Sequence, residues 1–235
     1  MLAAPRLRLC PTRPSRLAAP QLKTLSLLVL GDPAPAGGRA ERVVRTESAD
    51  DAGRCSGGDA ARAGQARRAD RARGTFPLRH VVTEVGVDPK VSAIVYVAAR
   101  APDAGENYAA LAKMYPTPPA SAGIVFDGDE GRLTEAAFLR DFAGDLPEAQ
   151  TKVLYAVQQP FHKALLTGRT KHAAWRSKRS FYAVSTEDRT INPELERFMA
   201  KRIEATTIEL KSSHVSLVSH PKETADLILE AAGRG

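Results

Sequence analysis

The chain has few cysteines, and they fall in the wrong place to act together. Cys10 and Cys55 are the whole supply in 235 residues, and none lies beyond residue 80. No disulfide framework and no thiolate metal site can be built from them. No apolar run approaches the roughly 20 residues that a membrane span needs. The run at residues 25–30 is likewise too short for a secretory hydrophobic core, although residues 1–20, rich in Arg and free of acids, faintly resemble a transit peptide. There is no internal repeat. The net charge of +7 would suggest a nucleic-acid or membrane partner if it were spread over the chain, but it is not. Residues 1–80 carry 15 Lys and Arg against 7 Asp and Glu, a net of +8, while residues 81–235 carry 19 against 20. The basic third has a single aromatic residue, Phe76, and no pattern of aromatics interleaved with its arginines. Neither nucleic acid nor membrane is expected as a partner.

Residues 31–73 show neither helical nor strand periodicity, and residues 1–80 read as a disordered tail. The texture changes after residue 80. VSAIVYVA, residues 91–98, is a continuous apolar run rich in β-branched residues, the pattern of a strand buried on both faces of a parallel sheet. Residues 107–115, 135–142 and 148–158 then read as short helices, separated by loops at 116–119 and 127–131. Residues 181–184 form a second strand, 193–203 an amphipathic helix, and 206–210 a third strand. A last helix over residues 222–232 places Ala225, Ile228, Leu229 and Ala232 on one face. The whole fits one α/β domain with a mostly parallel sheet.

Within residues 181–220 a polar corner, Ser185-Thr186-Glu187-Asp188-Arg189, follows one strand, and Ser212-Ser213-His214 follows the next. This order of strand, acid, helix, strand and histidine can bring a carboxylate and an imidazole to one sheet rim. Such a pair is the base half of a catalytic triad. Each residue also has a plainer reading. Asp188 can cap the segment beginning at Asn192 or pair with Arg189, and His214 can be a surface histidine. His220 precedes Pro221 and reads as a helix-entry residue. His162 and His172 read as solvent-facing, with His162 beside Phe161 as a possible pocket lining. Tyr155, Met114 and Phe142 read as core, Trp175 as packing at a strand entry, and Lys171, Arg176, Lys178 and Arg179 as a solvated face.

Three segments, KVSAIVYVAARAPDAGE (90–106), FYAVSTEDRTINPELERFMAKR (181–202) and SSHVSLVSHPKETADLILEAA (212–232), resemble the C-terminal two-thirds of an α/β-hydrolase. The similar branch is the small bacterial esterase-like one related to plant methylesterases and hydroxynitrile lyases. The resemblance implies an α/β-hydrolase fold, a doubly wound sheet with a helical cap at about 101–178, over residues 81–235. It also implies a triad in the order Ser, Asp, His, placing Asp188 on the acid and His214 on the base. The activity it implies is hydrolysis of a small apolar carboxylic ester in the cytoplasm, without metal or organic cofactor.

The same resemblance demands a G-x-S-x-G elbow just before residue 85, and here the chain departs from it. Residues 73–80 read RGTFPLRH, with no serine and with a proline in the turn. The oxyanion-hole loop is also unrecognisable. The possible codons of residues 31–80, read one base later, permit T-V-L-V-G-H-S-L-C-G across residues 71–80. That is a strand running into an elbow, with the serine codon straddling Phe76 and Pro77. The expectation is therefore a shifted reading from about residue 31 to 80, an inactive product, and an unpaired apolar edge on the strand at 91–98 that makes the chain poorly soluble. The alternatives are a catalytically dead binding module that keeps the cap, and a basic arm that binds nucleic acid.

Overall fold

The computed structural model describes residues 25–30, 42–45 and 81–233. The readings made for residues 1–24, 31–41 and 46–80, including the elbow position at Phe76 and Pro77 and most of the disordered-tail reading, lie outside the described residues.

The sheet is built on β3 (Val91–Val97) and β7 (Arg179–Ser185), paired in parallel with Val95 opposite Phe181 and Tyr96 opposite Tyr182. Side chains alternate across a strand, so an apolar run divides itself between two cores. Ile94, Tyr96, Tyr182 and Val184 face one cluster, and Ala93, Val95, Val97, Phe181 and Ala183 face the other. The expected burial on both faces is what β3 shows; only Ser92 is exposed. Helix α5 (Pro193–Arg202) covers the first face with Leu195, Met199 and Ala200, and α7 (Pro221–Ala231) covers the second with Leu227 and Ala231. Each of these Leu and Met side chains contributes about 1.5–3 kcal/mol by leaving water, and each alanine less. Strand β8 (Thr206–Leu210) extends the parallel set beyond β7.

Helix α5 starts where its local sequence says it must. The Asn192 side chain accepts the Glu194 N–H at 2.9 Å, Pro193 occupies the first turn, and Lys201 and Arg202 close the last turn.

On the other side of β3 the structure corrects the sequence. The edge is not open. Strand β1 (Leu25–Leu30) lies against β3 in antiparallel register, Leu25 opposite Val97, and β2 (Arg42–Arg45) pairs antiparallel with β1. The sheet order is β2-β1-β3-β7-β8. Residues 42–45, expected to lack strand structure, therefore form one. The physical reason is that ladder hydrogen bonds are made by backbone groups, so a six-residue apolar run can satisfy an unfilled edge whatever its origin.

Between β3 and β7 the chain makes an excursion. It contains α2 (Tyr108–Ala112), α3 (Glu135–Ala137) running into a π-helical turn at Phe138–Phe142, and α4 (Glu148–Ala156). It also holds a small sheet that the sequence hid. Strands β4 (Ile124–Asp127), β5 (Glu130–Leu133) and β6 (Phe161–His162) pair in antiparallel order. The expected loop at 127–131 is thus a hairpin, with Gly128 at φ 58° in its turn. Four-residue strands carrying acids read as polar loop because they are too short to show a period. Two further corrections concern faces. Helix α7 buries Thr224, Leu227 and Ala231 together with the following Ala232, and packs Ile228 beside them, while Ala225 and Leu229 are exposed, so half of the expected face turns inward. Met114, read as core, is 78% exposed. Phe142 is buried, as read.

Among the described residues no helix is long and apolar enough to cross a membrane.

Candidate active site

Asp188 and His214 meet at the carboxyl ends of β7 and β8. His214 Nδ1 lies 2.6 Å from Asp188 Oδ2, and both side chains are buried. The loop after β7 curls so that Asp188 Oδ1 also accepts the N–H groups of Thr190 (2.6 Å) and Ile191 (3.0 Å). The plainer reading of Asp188 as the cap of the segment beginning at Asn192 does not hold, because Asn192 itself caps α5; one Asp188 oxygen orders its own loop and the other holds the imidazole. Arg189 is not its partner. Arg189 pairs at 2.7 Å with Asp141, a buried carboxylate that also takes Arg140 at 2.6 Å.

The two rim loops are tied to each other. Thr186 N–H donates to Leu210 O at 2.9 Å and Glu187 N–H to Ser212 O at 3.1 Å, while the Ser185 and Ser212 hydroxyls lie 3.1 Å apart. The excursion grips the histidine loop as well. Ser213 donates its N–H (3.0 Å) and its hydroxyl (2.5 Å) to Asp145, and the Phe142 ring packs 4.9 Å from the imidazole. Ala98, directly after β3 on the same rim, has φ 44°, a left-handed conformation that costs an alanine about 1–2 kcal/mol.

Burial alone would push the Asp188 carboxyl up. The facing imidazole, its hydrogen bond, the neighbouring Glu196 and the Ile191 N–H outweigh this and hold it below the usual carboxylate range. An ionised carboxylate there fixes the proton of His214 on Nδ1 and leaves Nε2 as the basic nitrogen. Among the described residues none hydrogen-bonds Nε2.

A profile of the Alpha/beta hydrolase family matches residues 60–227, more than half of the chain. The chain belongs to the alpha/beta hydrolase family. Solved structures are similar to it as well. Polyneuridine aldehyde esterase matches with a TM-score of 0.53 at 17% identity, over 64% of this chain and 66% of that one. A pyrethroid hydrolase matches with a TM-score of 0.52 at 17% identity, over 66% of each chain. The match thus spans slightly less than two-thirds of each relative, and at this identity the likeness is one of fold. No curated protein matches.

In this hydrolase the other singled-out residues take structural places. His220 stands at the entry of α7 with Nε2 3.1 Å from Lys211 O, as read. His162 is exposed and caps the turn at Lys163–Leu166 through Ala164 N–H, and His172 is exposed. Trp175 donates its indole N–H to Pro102 O at 3.0 Å. Tyr155 packs edge-on against Phe138. Of the basic cluster, Arg176 pairs with Asp103 and Lys178 donates to Asp88 O, so it is a solvated face bound to its surroundings.

Sequence reasoning missed three contributors: Asp145, the Ser185–Ser212 hydroxyl pair, and Glu196. The last had a visible signal. Glu196 is spaced three and four residues from Met199 and Ala200, so it falls inside the buried stripe of α5. A cavity of about 450 Å³ adjoins Asp188, lined by Arg140, Asp145, Glu187 and Arg189 among others. It is charged. The apolar wall beside His214 is instead the cluster of Phe138, Phe142 and Val215. Among the described residues no group of three or more His, Cys, Asp or Glu is placed to hold a metal.

Proposed function

We propose that this alpha/beta hydrolase is the acid–base half of a serine esterase for small apolar carboxylic esters. Asp188 orients the base His214, and the nucleophile is lost because residues from about 31 to 80 are a shifted reading of the gene. The observation that carries the proposal is the buried 2.6 Å contact of His214 Nδ1 with Asp188 Oδ2 at the ends of two adjacent parallel strands. Helix α1 (Val81–Val85), immediately before β3, supports the address of the missing serine. A nucleophile elbow joins a strand to the start of a helix, and RGTFPLRH immediately precedes that helix in the sequence. The similar structures carry the names of an esterase and a pyrethroid hydrolase, which agrees with ester cleavage.

With the serine in place, Nε2 of His214 takes its proton as Oγ attacks the ester carbonyl. Asp188 stabilises the imidazolium, and two backbone N–H groups hold the oxyanion. His214 then gives the proton to the leaving alkoxide, and water repeats the cycle on the acyl-enzyme. The apolar composition of the excursion between β3 and β7 is the ground for an apolar acyl or aryl group. No metal or organic cofactor is required, and the substrate is a small molecule met in the cytoplasm.

A second reading, a catalytically dead small-molecule binding module, is favoured by the serine-free segment at 73–80. Labelling with a fluorophosphonate separates the two. The chain as written should remain unlabelled, and a chain whose gene is read one base later up to codon 80 should label at the serine straddling Phe76 and Pro77. A gene with no missing or extra base near codon 80 sinks the shifted reading and leaves the binding module.

A further inference from the structure

Glu196 is fully buried, on α5, directly behind the acid of the pair. Its Oε2 accepts the Ser185 N–H at 3.1 Å, and its buried Oε1 has no donor pointing at it. The carboxyl stands within hydrogen-bond reach of Asp188. Two carboxyl groups sharing one buried space cannot both ionise cheaply, so one of them keeps a proton. The donors decide which. Asp188 is surrounded by two backbone N–H groups and the imidazole, whereas Glu196 receives a single N–H. The negative charge belongs on Asp188 and the proton on Glu196.

We propose that Glu196 is a positioning residue: as a neutral acid it donates its O–H to the Asp188 carboxylate and so fixes the acid behind His214. This rests on the reading of Asp188 and His214 as acid and base. The surroundings agree. The other titratable groups facing Glu196 are Tyr108 from α2, Tyr182 from β7, whose O–H is given to Ala99 O, and Arg197 on α5 itself. Arg197 is committed to Glu209 at 2.8 Å and Glu194 at 2.5 Å on the solvent side. Burial first, and the Asp188 charge second, push the Glu196 carboxyl well above its ordinary value. The arrangement lets the carboxylate accept four hydrogen bonds, matching its lone-pair capacity and leaving its orientation no freedom.

The test uses the full 235-residue chain and needs no ester hydrolysis. Carboxyl-labelled glutamate should show one protonated-acid C=O band in the infrared at neutral pH, and that band should vanish in Glu196→Gln. The His214 Nδ1–H proton resonance reports the strength of its bond to Asp188. Glu196→Gln keeps an N–H donor for Asp188 and an acceptor for Ser185, so the resonance should stay in place. Glu196→Leu removes the donor, makes Asp188 the stronger acceptor, and should move the resonance downfield. Absence of the band, or a Gln variant that shifts the resonance, overturns the proposal. A folded Leu variant that leaves it unmoved does so too. If Glu196→Leu does not fold, the band and the Gln variant decide. Failure of the fluorophosphonate experiment would leave all of these readouts standing, so the two proposals fail separately.

Discussion

The two flanks of β3 are held by different kinds of information. Toward β7 and β8 the strands run parallel, a helix covers each face, and the loops at their ends exchange hydrogen bonds. Toward β1 and β2 the neighbours run antiparallel. The first flank needs particular side chains at particular places: Asn192 to start α5, Ser185 and Ser212 to join the loops, Asp188 to receive His214. The second rests on pairing of backbone N–H and C=O groups. Filling an edge is therefore easy, and building a rim of matched side chains is hard.

The largest effect should come from the rim itself. In a chain with the frame restored, His214→Ala should lower kcat on a 4-nitrophenyl ester by about 10⁶-fold and Asp188→Asn by about 10⁴-fold. Losses within tenfold would break the claim that this flank is the catalytic one. Next is the shared core. Ile94→Ala, at a fully buried position on the face of β3 that α5 covers, should cost about 2–5 kcal/mol in denaturant unfolding. The same truncation at the half-exposed Val125 of the small sheet should stay within about 0.5 kcal/mol. Equal costs would mean that the small sheet, not β3, organises the domain.

The third prediction concerns pH. Glu196 is raised by burial above its ordinary 4.5 in the folded state, so between 4.5 and the raised value the folded chain holds a proton that the unfolded chain has lost. Stability should fall as pH rises through that window, by at most about 1.4 kcal/mol per unit. Asp188 works in the opposite direction. It is held below its ordinary 3.8, and its contribution is lost as pH falls below that value. Glu196→Gln should abolish the slope above 4.5 and keep the one below 3.8, as read from urea midpoints across pH. The smallest effect is expected at the surface of the same flank. Arg197→Ala breaks exposed ion pairs with Glu194 and Glu209 and should cost only about 0.2–1 kcal/mol. A larger loss would show that α5 depends on its outer face as well as its inner one.

Much of the rim where Asp188 meets His214 was legible in the sequence. Asp188 and His214 each follow a run of β-branched and aromatic residues, and a strand's end is a defined place on a sheet rim. The ends of α5 were legible for the same local reason, through Asn192 and Pro193. Glu196 was not read, since an acid in an apolar stripe has meaning only once the neighbour it faces is known. The small sheet was not read because β4, β5 and β6 are too short to show alternation.

Local chemistry, then, determined the strands β3, β7 and β8, the start of α5, the rim positions of Asp188 and His214, and the lack of serine in residues 73–80. Those signals are carried by residues close in sequence. Tertiary structure decided which strand lies on the far edge of β3, which face of α7 turns inward, and which of two buried carboxyls is surrounded by donors. Such outcomes depend on groups that meet only after folding, and backbone pairing and desolvation leave no mark at a single position.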